Sequence, residues 1–400
     1  MKYFVSFSQM DSDFALKAAV DRPETVDEME ERRALLFENS AFFHKVVGLW
    51  PKEDQPLGNF RALKCHAGIF STIAIAIMQY SVLAVNDDKS RRAEFSIEAA
   101  IANIAFMKIL PCILNRKKMI ELYHKTLEIN TYLKESSAEK RIAYKWLSLQ
   151  VKLISGMIVS YVLVVSMYFS YPLYRGDIIP ICSELVPKVL HRFPWNIFVY
   201  VAEFALCALR LIEITSCDAY LLIFMCQLCS ELQIAGNAMQ EIGMHDKRSI
   251  YRAVKKHKRV LEYGQMICME FSSAVVIQHL GMSIGICFSA ISILYTREQG
   301  LMIKFVSIGL LMAFEVLLLC FVGEIIVGES LKIANYLENK YEDFLDDTTS
   351  LKTMRFMLFR SQRPLNLRVG GSTVMNLNLF RLTMNKIFSC FVILKRALAE

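Results

Sequence analysis

The chain has 400 residues, of which 54% are hydrophobic and 21% charged, and its formal net charge is +7. The apolar residues gather into separated runs of about twenty, the length that crosses a hydrocarbon core of about 30 Å, so an ordinary soluble domain is excluded and a polytopic helical membrane protein is indicated. The positive charge sits in the loops between these runs, which argues against nucleic acid as a partner.

Residues 1–62 are polar and acid-rich, then amphipathic around Ala41 to Val47, and close on Gly48-Leu49-Trp50-Pro51. This order predicts a helix followed by a turn at the membrane surface, anchored by Trp50. The opening MKYFVSFSQMDSDF lacks the apolar core of a cleaved signal peptide, so insertion is expected to rely on the first spanning helix. Spans are predicted at 65–85, 95–114, 150–171, 195–225, 268–295, 303–327 and 373–394, which makes the fold all-α with seven transmembrane helices. Between the sixth and seventh, residues 329–359 keep helical periodicity but carry too many charges to span.

Lysine and arginine set the orientation. The regions 1–62, 115–150, 228–262 and 328–372 hold 30 of them, against 10 in the alternate set 86–94, 172–194, 296–304 and 395–400. The positive-inside rule therefore predicts a cytoplasmic N-terminus and, after seven crossings, an extracellular C-terminus. That is opposite to a G-protein-coupled receptor. The basic amphipathic stretch 247–264 has the character of a calmodulin target or a lipid-headgroup site, or of a solvated cytosolic face.

Several ionisable residues fall inside the spans, where they mark functional sites or structural pairs. In the fourth, Glu203, Arg210 and Glu213 share a helical face and are placed to neutralise one another, with Asp218 beyond them. Glu98 and Lys108 in the second span and Glu315 and Glu324 in the sixth carry the same two readings. Most of the 11 cysteines lie in apolar runs, Cys207, Cys217, Cys287, Cys320 and Cys390 among them, where a thiol acts as a small hydrophobe. Cys226 and Cys229 form a CxxC without a second pair, Cys182 lies in a loop, and no two histidines stand at metal-ligand spacing. With no Walker loop, HExxH, GxSxG or GxGxxG, the expectation is no enzyme, no metal and no cofactor.

The last span is unusually wet. Asn378, Arg381, Asn385, Ser389 and Arg396 share one face, while Leu379, Phe380, Ile387, Phe391, Val392 and Leu394 mostly fill the rest. Each charge turned to lipid costs roughly 2.5 to 3.5 kcal/mol, so the stripe must meet protein or water. Either several copies of this helix line a pore, or the stripe packs against helices of the same chain, or Arg381 and Lys386 snorkel.

Four stretches resemble the insect odorant receptor family: Gly48-Leu49-Trp50-Pro51; Cys320-Phe321-Val322-Gly323-Glu324-Ile325 with Ser330; Arg360-Ser361-Gln362-Arg363-Pro364-Leu365; and the helix after Gly370-Gly371 with Phe380, Lys386, Ser389 and Phe391. Tyr341 departs from the family, which often carries Trp nearby. The loop 228–262 is too short for the insertion of the shared coreceptor, and Ser389, Cys390 and Arg396 stand where gustatory receptors and the coreceptor carry a Thr-Tyr-five apolar-Gln ending. The resemblance therefore points to a ligand-tuning subunit. The alternative is a gustatory or a metabotropic seven-helix chemoreceptor.

What the resemblance implies is a nonselective cation channel gated by a small volatile odorant. It would form a tetramer with the coreceptor in the lipid of the dendritic plasma membrane of olfactory neurons. On this basis the chain divides into a cytoplasmic region 1–62, a six-helix ligand-binding domain 63–327, a cytoplasmic anchor 328–372 and a pore-lining segment 373–400. Family likeness puts the pore constriction at Ile393 and Ala397, with Ser389 and Arg396 beside it. It puts odorant binding in the outer halves of spans two to six, and there Val164, Met167, Tyr168, Val201 and Phe204 are the expected contacts.

Overall fold

The computed structural model describes residues 89–132, 137–175, 191–243, 246–296, 298–345, 347–371 and 373–399, with a few isolated positions between 73 and 84. The N-terminal region 1–62 and Cys182 lie outside the described residues, as does the first span apart from those isolated positions. Eight α-helices are described: α1 (Lys89–Leu114), α2 (Arg116–Tyr132), α3 (Ser137–Arg175), α4 (Trp195–Gln240), α5 (Lys247–Tyr295), α6 (Gln299–Tyr341), α7 (Thr348–Ser361) and α8 (Leu377–Ala399).

The helices outrun the apolar runs that announce them. α5 has 49 residues and α4 has 46; at about 1.5 Å per residue each approaches 70 Å, more than twice the hydrocarbon thickness. Charge ends the span but not the helix, so the expected loop 228–262 is helical over 228–240 and again over 247–262. Asp246 starts α5 by accepting the Arg248 amide at 2.9 Å, the usual role of a short polar side chain at a helix start. The basic residues Arg248, Arg252, Lys255 and Lys258 of that stretch are exposed, while Ile250, Ala253, His257 and Val260 are buried. Among the described residues α3, α5 and α6 are long and apolar enough to cross a membrane by length and composition.

The core is built around α4. From Thr215 to Cys226 it is buried without interruption, which requires neighbours on every side. α1, α3, α5 and α6 supply them, and α5 in turn packs on α1 and α6. Tyr220, Phe224 and Phe271 form an aromatic step between α4 and α5, with adjacent ring centroids 4.7 and 5.7 Å apart.

Between α7 and α8 the chain makes a small hairpin, β1 (Arg368–Val369) paired with β2 (Thr373–Val374). Gly370 and Gly371 turn it with φ of 64° and 85°, a region open to glycine and strained for other residues. The seventh span thus begins as a helix at Leu377, later than the expected 373, because Thr373 and Val374 are committed to the strand.

The segments that carry the family resemblance meet here. Ser330 of α6 accepts the Leu365 amide at 3.2 Å, and Ser361 shares a hydrogen bond with His257 of α5 at 3.1 Å. The Leu377 amide donates to Glu324 at 3.3 Å, giving an unpaired N–H at the start of α8 a carboxylate.

Candidate functional site

Two features of the bundle are candidates for function: an apolar cavity between the helices and the outer face of α8. The cavity, of about 150 Å³, lies between α1, α3, α4, α5 and α6. Its wall is mainly aliphatic, with Ile101, Val164, Leu211, Ile214, Ile308 and Met312 among the residues that face it.

A cluster of charged residues borders the cavity at each end. At one, Lys108 lies between Asp218 and Glu315 at 2.8 and 2.7 Å, so α1, α4 and α6 are pinned together. Tyr161 of α3 donates to both carboxylates, at 2.8 Å to Asp218, and Gln278 of α5 donates to Asp218 at 2.7 Å. Each of the five helices thus contributes one side chain to a single buried network, which satisfies polar groups that would otherwise be costly to bury. At the other end Lys304 pairs with Glu98 at 3.2 Å and sits 3.9 Å from the centroid of the Tyr168 ring, while the Tyr168 hydroxyl donates to Glu98. Arg210 reaches the cavity from α4 and is only 7% exposed.

Of the expected odorant contacts, Val164 and Tyr168 line this cavity. Met167, Val201 and Phe204 do not: they are 41, 56 and 48% exposed on the outside of the bundle. Phe204 touches the wall only from behind, edge-on to Phe169 with centroids 5.2 Å apart. α4 enters the cavity deeper than expected, through Cys207, Arg210, Leu211 and Ile214, and α5 enters through Met282 rather than 289–293. The charged residues missed as cavity neighbours, Glu98, Lys108, Arg210 and Glu315, had a signal in the sequence: each is ionisable within an apolar run.

α8 is the other candidate. None of its described side chains is buried. Leu379, Phe380, Thr383, Met384, Ile387, Phe391 and Val392 are partly covered and form the face packed on α5 and α6. All five stripe residues, Asn378, Arg381, Asn385, Ser389 and Arg396, are exposed, so the stripe is not packed against the described helices. Ile393, 66% exposed, lies on the same side as Ser389 and Arg396. Ala397 is in α8, but its side chain is outside the described residues.

Long helices of membrane-crossing length, an apolar cavity and a terminal helix with an exposed polar face define a helical membrane protein with a candidate small-molecule site. The comparisons make this specific. The family profile described as 7tm Odorant receptor matches residues 97–388, most of the chain. Among relatives, Odorant receptor 30a of Drosophila melanogaster is 42% identical over 64 residues, which is 16% of each chain. Putative odorant receptor 92a of the same fly is 22% identical over 185 residues, 44% of this chain and 45% of its own. The matched segments thus span less than half the length of either relative. Among solved structures, the insect olfactory receptor OR5 from Machilis hrabei superposes with a TM-score of 0.74 at 15% identity, over 90% of this chain and 97% of its own. Its complex with eugenol gives 0.76 at 14% identity, over 92 and 100%. The chain belongs to the odorant receptor family of insects and has that family's seven-helix membrane fold.

Proposed function

We propose that this chain is the ligand-tuning subunit of a heteromeric, odorant-gated, nonselective cation channel, assembled as a tetramer with the shared coreceptor in the dendritic plasma membrane of olfactory neurons. The N-terminus is cytoplasmic and the C-terminus extracellular, so the cavity lies in the outer part of the membrane. A small volatile held there opens a pore lined by α8, with Ser389, Ile393, Arg396 and Ala397 at the narrow end. The functional units are the cytoplasmic region 1–62, the ligand-binding helices 63–327, the anchor 328–372 and the pore segment 373–400.

The observation that carries this reading is the exposure of the whole polar stripe of α8. In a spanning helix such a face needs water or another subunit, because lipid would charge roughly 2.5 to 3.5 kcal/mol for each ionised group. The cavity supports it by size and chemistry, being apolar with polar groups at its two ends. Ligand binding shifts the closed-to-open balance only as far as its affinity differs between the two states.

The test is to express the chain with the coreceptor and record cation current evoked by a panel of volatiles. Eugenol, which the related Machilis hrabei receptor binds, is a first member of the panel. Odorant-evoked current that requires both chains is expected. Normal surface expression of both chains with no current to a broad panel overturns the proposal.

A further inference from the structure

We propose that Arg210 is the anchor that sets what this cavity accepts: a small neutral molecule bearing an oxygen acceptor, such as a ketone, aldehyde or ester. This deepens, and rests on, the reading of the cavity as the odorant site.

Arg210 is 7% exposed and lines the cavity, yet its Nε and Nη2 atoms are buried with no hydrogen-bond partner among the described residues. A buried charged donor left unsatisfied is expensive, and a guanidinium has donors only, so what completes it must accept. The other donors at the cavity are committed to carboxylates. Lys108 is held by Asp218 and Glu315, Lys304 by Glu98, and the Tyr161 and Tyr168 hydroxyls also donate to these carboxylates.

The charge around the site decides between a neutral and an ionised ligand. Three buried cations, Lys108, Arg210 and Lys304, are set among five buried carboxylates, Glu98, Glu203, Glu213, Asp218 and Glu315, with Glu98 and Glu213 both within electrostatic reach of Arg210. A carboxylate ligand would therefore enter a region with no net positive charge and lose its hydration. An ammonium ligand would meet Arg210 itself. A carbonyl oxygen takes the guanidinium hydrogens without bringing a charge. An apolar cavity of about 150 Å³ holds a molecule about the size of benzene, which suits a carbonyl compound of roughly six to ten heavy atoms.

The test uses the purified full-length chain in detergent and ligand-induced thermal shifts with matched sets: a short ketone, its parent alkane, the corresponding amine and the corresponding carboxylate. Ketone affinity for the wild type is expected to exceed that for the alkane by roughly 10- to 100-fold, as a hydrogen bond to a charged group gives. Arg210→Met is expected to remove that advantage while keeping alkane binding, and Arg210→Lys to restore part of it. Equal binding of ketone and alkane by the wild type, a preference for carboxylate or amine, or an undiminished ketone preference in Arg210→Met overturns the inference while leaving the cavity as the odorant site. If no member of any set shifts the wild type, the cavity reading fails as well. Should Arg210→Met not fold, the wild-type ranking still decides.

Discussion

Gly323 of α6 lies directly against the main chain of Met375: a Cβ at Gly323 would stand 2.3 Å from the Met375 carbonyl oxygen and 3.1 Å from its carbon. Met375 cannot easily retreat, because its side chain is fully buried and its amide donates to the Leu367 carbonyl at 2.8 Å. Gly323→Ala is expected to destabilise the protein by about 1–3 kcal/mol, the usual scale of overpacking, and to lower its melting temperature in detergent. Gly328→Ala in the same helix, where a Cβ meets nothing within 4 Å, is expected to be neutral or stabilising. Equal melting temperatures for the two variants would contradict this account of the joint.

The Lys108 network should be more sensitive to loss of its cation than to loss of either carboxylate. Lys108→Met leaves Asp218 and Glu315 facing each other without compensation, and breaking a buried pair this way costs about 3–5 kcal/mol. Glu315→Gln keeps Lys108 paired with Asp218 and should cost less. Thermal unfolding of the two variants, with surface expression as a second readout, gives the order; a milder effect of Lys108→Met would refute it.

His257 gives stability a pH dependence. It is buried beneath Ser361, and burial, with the Arg360 charge as the lesser cause, pushes its pKa down from 6.5 to about 4. The folded state therefore binds fewer protons than the unfolded state between these values. The contribution is complete above about pH 6.5 and is lost as pH falls through 4, to the extent of roughly 3 kcal/mol. Melting temperature should fall over that interval more steeply in the wild type than in His257→Gln, and parallel slopes would count against the assignment.

Odorant selectivity should follow the cavity wall rather than the outer surface. Val164→Phe fills space in a cavity of about 150 Å³ and is expected to abolish responses to the larger active volatiles. Val201→Phe, at a position 56% exposed, should leave the dose-response curves within about twofold, as surface substitutions generally do. Concentration-response recordings from the coexpressed channel compare them, and the reverse pattern would remove the cavity from consideration.

Cysteines placed along α8 offer a direct probe of its exposed side. In assembled channels, Ser389→Cys, Ile393→Cys and Arg396→Cys are expected to react with water-soluble thiol reagents faster than Met384→Cys or Ile387→Cys, which lie on the packed face. The same slow rate at all five positions, with and without odorant, would mean that this side does not meet water.

The fold was largely legible in the sequence because apolar runs of membrane length are hard to mistake. Their helical continuations were not. Nothing in hydropathy distinguishes a loop from a helix that has left the lipid, and α4 and α5 pass that boundary without a break. The site was legible in chemistry more than in position. Tyr168 and Met167 are adjacent and equally apolar in character, but one turns to Glu98 and the other outward, a matter of helix rotation that only neighbours settle. Val201 and Phe204 mislead for the same reason. Arg210 stood out as a charge in an apolar run, yet its two unpartnered nitrogens are visible only once the packing of α1, α3 and α4 is known.

The way α8 is fastened has a mechanical corollary. Its root is clamped by Met375 and by the Leu377 amide on Glu324, while farther along it rests on the Thr383 contact with His279, 3.2 Å, and on side chains that are only partly buried. Such a helix is held more firmly at its root than along its length, and the stretch from Leu377 to Ile393 makes an arm of about 24 Å. A tilt of about 5° at the root carries Ile393 about 2 Å over that length. A small rotation at the Met375 joint is thereby a larger displacement where Ile393 stands.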